Sequence, residues 1–348
     1  MLRTLSFTSL AASLLAFLGT TLPDHSFAQQ IAMEREQGGL LERFRERRLE
    51  RRRAAAEESK DAAGDAKITA PGDYSFSLVH DGLTRLYRVY VPTTYSPSRP
   101  MPLVFSFHGG GGNMDYQAND SYYGQISKSE QSGYIFVFPN GFSKLKSGKV
   151  ASWNAGNCCA AARDQNVDDV GFVRELIKRL SNRLTINPQR IFASGMSNGG
   201  MMTYRLACEL SDVFKAIASV AGTDNTKTCS PEKPISILHI HAKDDDLELF
   251  DGGAGRKSSM VTPFVSVPDS VTKWVKLNRC SPTPKRVFEN SGAYCEAYSQ
   301  CRDGVEVKLC VTSTGGHSWP GGKKPRGDGQ PSTALSATDV MSDFFSSR

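Results

Sequence analysis

The chain has 348 residues, a net charge of +6 and a mean hydropathy of -0.36. No stretch of the sequence is long and apolar enough to span a bilayer, which excludes an integral membrane protein. Residues 34–65 carry nine basic and nine acidic side chains, so the positive excess belongs to the later part of the chain. That excess is modest and falls far short of the basic charge that is typical of nucleic-acid-binding proteins.

The N-terminal part of the chain predicts export. Residues 1–28 form a signal peptide pattern, in which Arg3 precedes an uncharged apolar stretch and Ser26-Phe27-Ala28 supplies a cleavage site. Residues 29–68 are rich in Arg, Glu and Ala and predict a charged linker, disordered or partly helical. A tether to an anionic envelope or polymer is the alternative. Residues 69–346 have the size of one domain.

Within residues 69–346, β-rich runs alternate with helical patterns. A hairpin is predicted around Asp81-Gly82, and a helix begins at Asp168 or Asp169 and ends before Asn187-Pro188. The other segments are strands at 101–107, 134–138, 191–194, 216–221, 235–241 and 305–311, and a helix at about 198–210. Continuous apolar strands that alternate with amphipathic helices predict an α/β fold, with a mostly parallel central sheet and helices on both faces.

The segment Gly195-Met196-Ser197-Asn198-Gly199 matches G-x-S-x-G between a predicted strand and a predicted helix. A nucleophile elbow needs this context, so Ser197 is the candidate nucleophile. An oxyanion site requires two N–H donors. The backbone of Asn198 can supply one and the glycine run after strand 101–107 the other, with Gly110 as the preferred donor.

A serine nucleophile needs a base and a carboxylate that orients the base. His317 is the candidate base because its glycine-rich loop directly follows strand 305–311, where an α/β sheet places reacting groups. The strand residues His239 and His241 are interpreted as structural. The acid should lie between the serine and the histidine in the chain, and Asp244-Asp245-Asp246 meets this condition without revealing which of the three acts.

Three motifs together resemble the secreted polyhydroxybutyrate depolymerase and feruloyl esterase group of α/β-hydrolases. They are His108-Gly109-Gly110-Gly111-Gly112-Asn113, Gly195-Met196-Ser197-Asn198-Gly199-Gly200-Met201 and Gly316-His317-Ser318-Trp319-Pro320-Gly321-Gly322. The resemblance runs from about residue 74 to 345 and implies an α/β-hydrolase catalytic domain over residues 69–346. It places the nucleophile on Ser197, the base on His317 and the acid on Asp245. This sequence departs from the group at Ala242, where a glycine is usual after the strand histidine.

Two tryptophans near these motifs, Trp153 and Trp319, are candidates for lining the acyl or aromatic pocket. A core position is the alternative for each, because large aromatic side chains are most often buried.

All eight cysteines lie beyond residue 150, and an even number in an exported chain favours disulfides. Eight cysteines allow 105 pairings, so the sequence does not determine the connectivity. Two bridges have a physical basis. Cys208 with Cys229 would tie a crossover, and Cys295 with Cys310 would flank a hairpin turning at Asp303-Gly304. Cys280 would then pair with Cys301, and Cys158 with Cys159 as neighbours.

These features predict a secreted serine esterase, extracellular or periplasmic, that acts by a Ser-His-Asp acyl-enzyme mechanism. The resemblance implies hydroxyalkanoate polyesters or oligomers, or feruloyl or acetyl groups on polysaccharide, as substrates. A hydrolase of an anionic polyamide such as poly-aspartate is one alternative. A non-catalytic polymer- or carbohydrate-binding envelope protein is another. Nothing in the sequence indicates a metal or organic cofactor or a nucleic-acid partner, and the oligomeric state stays open.

Overall fold

The computed structural model describes residues 66–258, 262–324 and 329–348. The predicted signal peptide and nearly all of the predicted linker lie outside these residues. The centre of the fold is one sheet of ten strands in the order β1-β2-β4-β3-β5-β6-β7-β10-β9-β8. Its strands are β1 (Gly72–His80), β2 (Leu83–Val91), β3 (Met101–Phe107), β4 (Ile135–Pro139), β5 (Ile186–Met196), β6 (Ala216–Val220), β7 (Ser236–Ala242), β8 (Lys285–Glu289), β9 (Ala293–Tyr298) and β10 (Val307–Thr312).

The six central strands, from β4 to β10 in sheet order, run parallel to one another. An antiparallel pair completes each side, β1 with β2 at one edge and β9 with β8 at the other. Every residue of β3, β4, β6 and β7 is buried, because helices cover both faces of the sheet. The predicted α/β class with a mostly parallel sheet is confirmed.

Eight α-helices lie among the described residues. They are α1 (Met114–Gln117), α2 (Asp120–Tyr123), α3 (Gln125–Ser132), α4 (Ala160–Asp164), α5 (Asp169–Arg183), α6 (Asn198–Glu209), α7 (Val267–Leu277) and α8 (Ala337–Ser346). Helices α5, α6 and α7 contribute to one apolar core cluster, and α2 and α8 contribute to the cluster on the other face. In the described ranges, no helix is long and apolar enough to cross a membrane.

The largest differences from the sequence-based boundaries lie between helix α5 and strand β5 and at the start of the domain. Helix α5 begins after Asp168, whose side chain accepts a hydrogen bond from the Gly171 amide, but the helix ends at Arg183. Strand β5 already begins at Ile186, so Asn187-Pro188 lies inside a strand, where the pairing with β3 is irregular and tolerates a residue without an N–H. Ile68, assigned to the linker, is buried in the core.

Four disulfides join the eight cysteines in the pairs Cys158–Cys159, Cys208–Cys229, Cys280–Cys301 and Cys295–Cys310. These are the pairings that the sequence suggested. Cys295 and Cys310 are direct partners across the antiparallel pair of β9 and β10, as their placement around the predicted turn required.

Removal of the Cys295–Cys310 bridge should destabilise the domain. The bridge closes a loop of 15 residues, and restricting such a loop in the unfolded chain is worth about 3 kcal/mol. We therefore expect the double variant Cys295→Ala/Cys310→Ala to lose about 3 kcal/mol of unfolding free energy, measured by urea denaturation. An unchanged denaturation midpoint would contradict this prediction.

Candidate active site

Ser197 occupies the sharp turn between β5 and α6. Its φ of 56° and ψ of -125° lie in a backbone region that L-residues with a side chain rarely adopt. The turn is held by a hydrogen bond of 2.8 Å from the Ser197 amide to the Val220 carbonyl at the end of β6. Such strain persists only where the surroundings fix it, and here it presents Ser197 at the N-terminus of a helix.

The two flanking glycines of the motif are required by close packing. A Cβ atom on Gly199 would collide with the carbonyl oxygen of Phe107 at the end of β3, and one on Gly195 would collide with the carbonyl of Gly199. Only glycine lets strand β5, the turn and helix α6 approach this closely. The G-x-S-x-G pattern therefore has a direct steric cause in this fold.

His317 and Asp245 are hydrogen-bonded to each other. The Nδ1 atom of His317 lies 2.8 Å from Oδ2 of Asp245, which is 2% exposed. The other carboxylate oxygen, Oδ1, accepts the amides of Leu247 and Glu248, each at 2.9 Å. His317 follows β10 and Asp245 follows β7, and these parallel strands end at the same edge of the sheet as β5, which precedes Ser197.

The three consecutive aspartates have different partners. Asp244 accepts the backbone amides of Gly315, at 3.3 Å, and Gly316, at 2.8 Å, and so ties down the loop that carries His317. Asp246 forms an ion pair of 2.9 Å with Lys257. Asp245 alone of the three contacts the His317 ring in the described part of the chain, which is the arrangement that the family resemblance implied.

The pKa values of this pair shift apart. Burial by itself would raise the pKa of Asp245, but the nearby His317 and His241 rings, through charge and hydrogen bonds, hold it well below its usual value. Burial by itself would lower the pKa of His317, yet the adjacent Asp245 carboxylate outweighs burial and raises it. A carboxylate that stays ionised next to a histidine of raised pKa can stabilise an imidazolium.

The glycine loop after β3 packs against the Ser197 turn. An added Cβ on Gly109 would lie 3.5 Å from Cβ of Ser197, and one on Gly110 would lie 3.6 Å from Cβ of Asn198. The Gly111 amide donates to the Ala151 carbonyl at 2.8 Å. The Gly110 amide has no acceptor among the described residues, so it can donate to a ligand at this position.

Trp153 is hydrogen-bonded to the start of this glycine loop. Its side chain is fully buried, and its indole N–H donates to the His108 carbonyl at 3.0 Å. The Asn198 side chain accepts from the Trp153 amide at 2.7 Å and donates to the Trp153 carbonyl at 3.1 Å. This burial corrects the prediction that Trp153 lines the pocket, because the indole contacts the backbone of the loop and has no surface for a substrate.

Trp319 is also a core residue. It is 3% exposed, and its indole N–H donates to Thr338 at the start of α8 at 2.9 Å. Tyr123 packs edge-on against its ring. The prediction that Trp319 lines the pocket is corrected in the same way, since the side chain anchors the loop of His317 to α8.

Glu248 was not singled out from the sequence and lies beside the Asp245 carboxylate. Its side chain is fully buried, and Oε1 accepts both the amide and the hydroxyl of Thr223, each at 2.5 Å. Oε2 has no hydrogen-bond partner among the described residues. Burial raises the pKa of Glu248 above its ordinary value. Only the spacing Asp245-x-x-Glu248 after a strand could have suggested this residue.

The variant Glu248→Gln should become more stable relative to wild type as the pH rises. The raised pKa means that the folded state holds the Glu248 proton more tightly, so wild type loses stability as the pH rises above the ordinary value of 4.5. Glutamine keeps the acceptor for Thr223 and has no proton to lose. Thermal unfolding of both proteins between pH 4 and pH 7 measures the difference, and a constant difference would refute the prediction.

No group of three or more histidine, cysteine, aspartate or glutamate side chains in the described ranges is arranged to hold a metal ion. The strand order and the strained serine turn instead define an α/β-hydrolase. A solved acetyl xylan esterase from Aspergillus awamori has this fold. The superposed region covers 78% of this chain and 99% of the esterase chain, with a TM-score of 0.54 and 12% sequence identity.

Comparisons at the sequence level identify the family. The model of the prolyl oligopeptidase family matches residues 123–248. Feruloyl esterase B of Piromyces equi is 30% identical over 68% of this chain, which covers 43% of that protein. The probable feruloyl esterase C of Aspergillus niger is 31% identical over 56% of this chain and 67% of its own length. The chain belongs to the feruloyl esterase-like group of α/β-hydrolases, a group of carboxylic ester hydrolases.

Proposed function

We propose that the protein is a serine esterase that cleaves feruloyl or acetyl esters of a polysaccharide through an acyl-enzyme. Ser197 is the nucleophile, His317 the general base and Asp245 the acid that orients the base. The observation that carries the proposal is the 2.8 Å hydrogen bond between His317 and the buried Asp245, at the sheet edge where the strained turn presents Ser197.

In the first step, Ser197 attacks the ester carbonyl while its hydroxyl proton passes to Nε2 of His317. The imidazolium that forms is stabilised by the Asp245 carboxylate at Nδ1. Negative charge develops on the carbonyl oxygen, and the amides of Gly110 and Asn198 donate to it. The Asn198 amide belongs to the first residue of α6, where helical backbone leaves N–H groups without intrahelical acceptors.

The tetrahedral intermediate then collapses. The ester C–O bond breaks, the alcohol leaves with the proton held by His317, and an acyl group stays on Ser197. Water attacks this acyl-enzyme, again losing a proton to His317, and the acid product leaves as Ser197 recovers its proton. No cofactor is required for either half of the reaction.

We propose that the protein works outside the cytoplasm. Four disulfides within one domain suit an oxidising compartment, since cytosolic thiols are kept reduced. The signal peptide pattern of residues 1–28 supports the same proposal. N-terminal sequencing of the protein from a culture fraction tests it: the mature chain should begin at Gln29, and an intact Met1 in the cytoplasmic fraction would overturn it.

Labelling with a fluorinated alkyl phosphonate tests the proposed nucleophile. The reagent phosphonylates an activated serine, so peptide mapping should find one adduct on Ser197, and heat-unfolded protein should not react. A folded protein that takes up no reagent would support the alternative of a non-catalytic polymer-binding protein. An adduct on another serine would overturn the assignment of Ser197.

A substrate panel tests the proposed ester class. We expect hydrolysis of methyl ferulate and of acetylated xylan, slower hydrolysis of hydroxybutyrate oligomers, and no cleavage of poly-aspartate. Faster cleavage of the hydroxybutyrate oligomers would move the assignment to a polyester depolymerase. Release of aspartate oligomers would favour the polyamide hydrolase.

A further inference from the structure

A series of buried polar side chains leads to Oδ2 of Asp245, the same carboxylate oxygen that His317 contacts. His239 and His241 lie two residues apart on β7, on the face that packs against α6, and their rings are stacked with centroids 5.3 Å apart. Nε2 of His239 lies 3.2 Å from Nδ1 of His241. The Tyr204 hydroxyl of α6 lies 2.8 Å from Nδ1 of His239. The exposed fraction of each of these three side chains is at most 1%.

The contacts of His241, at the Asp245 end of this series, set the direction of its hydrogen bonds. Nε2 of His241 faces the Glu248 carbonyl at 3.0 Å and Oδ2 of Asp245 at 3.3 Å. A carbonyl and an ionised carboxylate only accept, so Nε2 of His241 must carry a proton. A neutral His241 then accepts at Nδ1 from the Nε2–H of His239, and His239 accepts at Nδ1 from the Tyr204 hydroxyl.

Burial keeps the ring of His239 neutral. The interior lowers the pKa of His239 well below its usual value, and the neighbouring His241 ring lowers it further. A protonated His239 would also present an N–H to the Tyr204 hydroxyl and a positive charge to the adjacent ring. A neutral His239 that accepts from the Tyr204 hydroxyl at Nδ1 donates from Nε2 to Nδ1 of His241, so the N–H groups of both rings point toward Asp245.

We propose that His241, supported by His239 and Tyr204, is a positioning residue for the Asp245 carboxylate in the proposed Ser-His-Asp reaction. Oδ2 of Asp245 is hydrogen-bonded to Nδ1 of His317 and lies 3.3 Å from Nε2 of His241, whose N–H it shares with the Glu248 carbonyl, and Oδ1 accepts two backbone amides. The His241 N–H shares the charge of Oδ2 and thereby limits how strongly Asp245 holds the protonated form of His317. This inference rests on the proposed function, since it concerns the same carboxylate.

The loss of the His241 N–H has a defined electrostatic consequence. The amides of Leu247 and Glu248 still hold Oδ1, so the carboxylate stays in place with one donor fewer on Oδ2. Its less dispersed charge then stabilises the His317 imidazolium more strongly. The other ionisable groups that face this region are Glu248, Lys324 beyond His317, and Asp224 beside Tyr204, and the substitution leaves each of them in place.

The kinetic test compares His241→Leu, His241→Gln and Tyr204→Phe. For His241→Leu, we expect the acid limb of kcat/KM to move up by at least about half a pH unit, because a more basic His317 must lose its proton before it can act as base. KM should change less than about twofold, since His241 does not contact substrate. Glutamine, whose side-chain amide can donate near the Nε2 position, should restore most of the shift, and Tyr204→Phe should shift the limb upward by less.

The control variant is Ile240→Val, which lies on the same strand but faces the opposite side of the sheet and the other core cluster. It should lower the thermal midpoint without moving the acid limb. An acid limb of His241→Leu at the wild-type pH, with a lowered thermal midpoint like that of Ile240→Val, would overturn the proposal. If His241→Leu does not fold, the pH profile of Tyr204→Phe and nitrogen-15 NMR of the wild-type histidine rings test the role of His241 instead.

Nitrogen-15 NMR of the histidine rings in the wild-type protein tests the inferred tautomers without any substitution. His239 and His241 should both appear as neutral rings protonated at Nε2 across the pH range of activity. Protonation at Nδ1 of either ring, or a second proton on His241, would overturn the proposal. This result is independent of turnover, so it can fail while Ser197→Ala still abolishes activity. If Ser197→Ala remained active, the proposed function would fail instead.

Discussion

Replacing Ser197 with alanine should lower kcat by about a millionfold while leaving the domain folded. The Ser197 hydroxyl is the group that forms the acyl bond, and an alanine methyl has no electron pair to attack the carbonyl. The hydroxyl makes no hydrogen bond to any residue in the described ranges, and alanine can occupy the same backbone turn as serine. The substitution therefore removes the nucleophilic hydroxyl and should leave the fold almost unchanged.

The measurement is p-nitrophenol release from a short acyl ester, with the thermal midpoint followed in parallel. Ser194→Ala is the matched control, since it deletes a buried serine hydroxyl from the same strand that donates to the Phe105 carbonyl at 3.2 Å. The control should keep most of the activity at a somewhat lower thermal midpoint. Turnover by Ser197→Ala near the wild-type rate would refute the proposed mechanism.

Much of the fold was predictable because its signals are local. The hairpin of β1 and β2 turns at Asp81-Gly82, and Ser197 lies between a strand and a helix, as turn chemistry and hydrophobic periodicity indicated. The pairing of Cys295 with Cys310 followed from register across a short hairpin. In each case, residues close in the sequence determine the geometry.

The predictions that needed revision depend on contacts between distant segments. The sequence around Trp153 and Trp319 does not distinguish a pocket-lining tryptophan from a core tryptophan. Their core positions follow from contacts with His108 and Thr338, which lie far away in the sequence or in another element. Pro188 looked like a helix terminator, whereas an irregularity in the pairing of β5 with β3 accommodates it. These contacts arise from tertiary packing, which single-sequence patterns do not encode.

The polar groups behind the candidate site illustrate the same limit. His239 and His241 read as structural strand histidines, and the sequence gives no sign that Tyr204 on α6 would complete a hydrogen-bonded chain to them. Two residues of one strand share a face by periodicity alone, but the third member comes from another element. Their interpretation as structural residues was therefore incomplete, because they also extend to Asp245.

Among the three consecutive aspartates, Asp245 is the one whose substitution should strongly lower kcat. Asp245→Asn should lower kcat by about ten-thousandfold, because the new amide is expected to keep its oxygen toward the amides of Leu247 and Glu248 and to turn its NH₂ group toward His317. Two donors cannot share one hydrogen bond, so His317 would adopt the tautomer that carries its proton on Nε2. That atom must be unprotonated to accept the proton of Ser197.

The pH profile of Asp245→Asn should change as well. The Asp245 carboxylate raises the pKa of His317, so its neutralisation should lower that pKa and move the acid limb of the residual activity to lower pH. This shift is opposite in sign to the shift expected for His241→Leu. The two variants therefore separate loss of the carboxylate charge from loss of one donor to it.

Asp244→Asn and Asp246→Asn are the matched comparisons, because each makes the same chemical change one residue away from Asp245. Asparagine at 244 has one oxygen, which can still accept the nearer Gly316 amide but leaves the Gly315 amide without its acceptor. Asparagine at 246 loses a partly exposed ion pair with Lys257. Both variants should keep kcat within about tenfold of wild type. An equal and mild effect at all three positions would refute the assignment of Asp245, and a ten-thousandfold loss confined to position 244 would transfer the role to the residue that ties down the loop of His317.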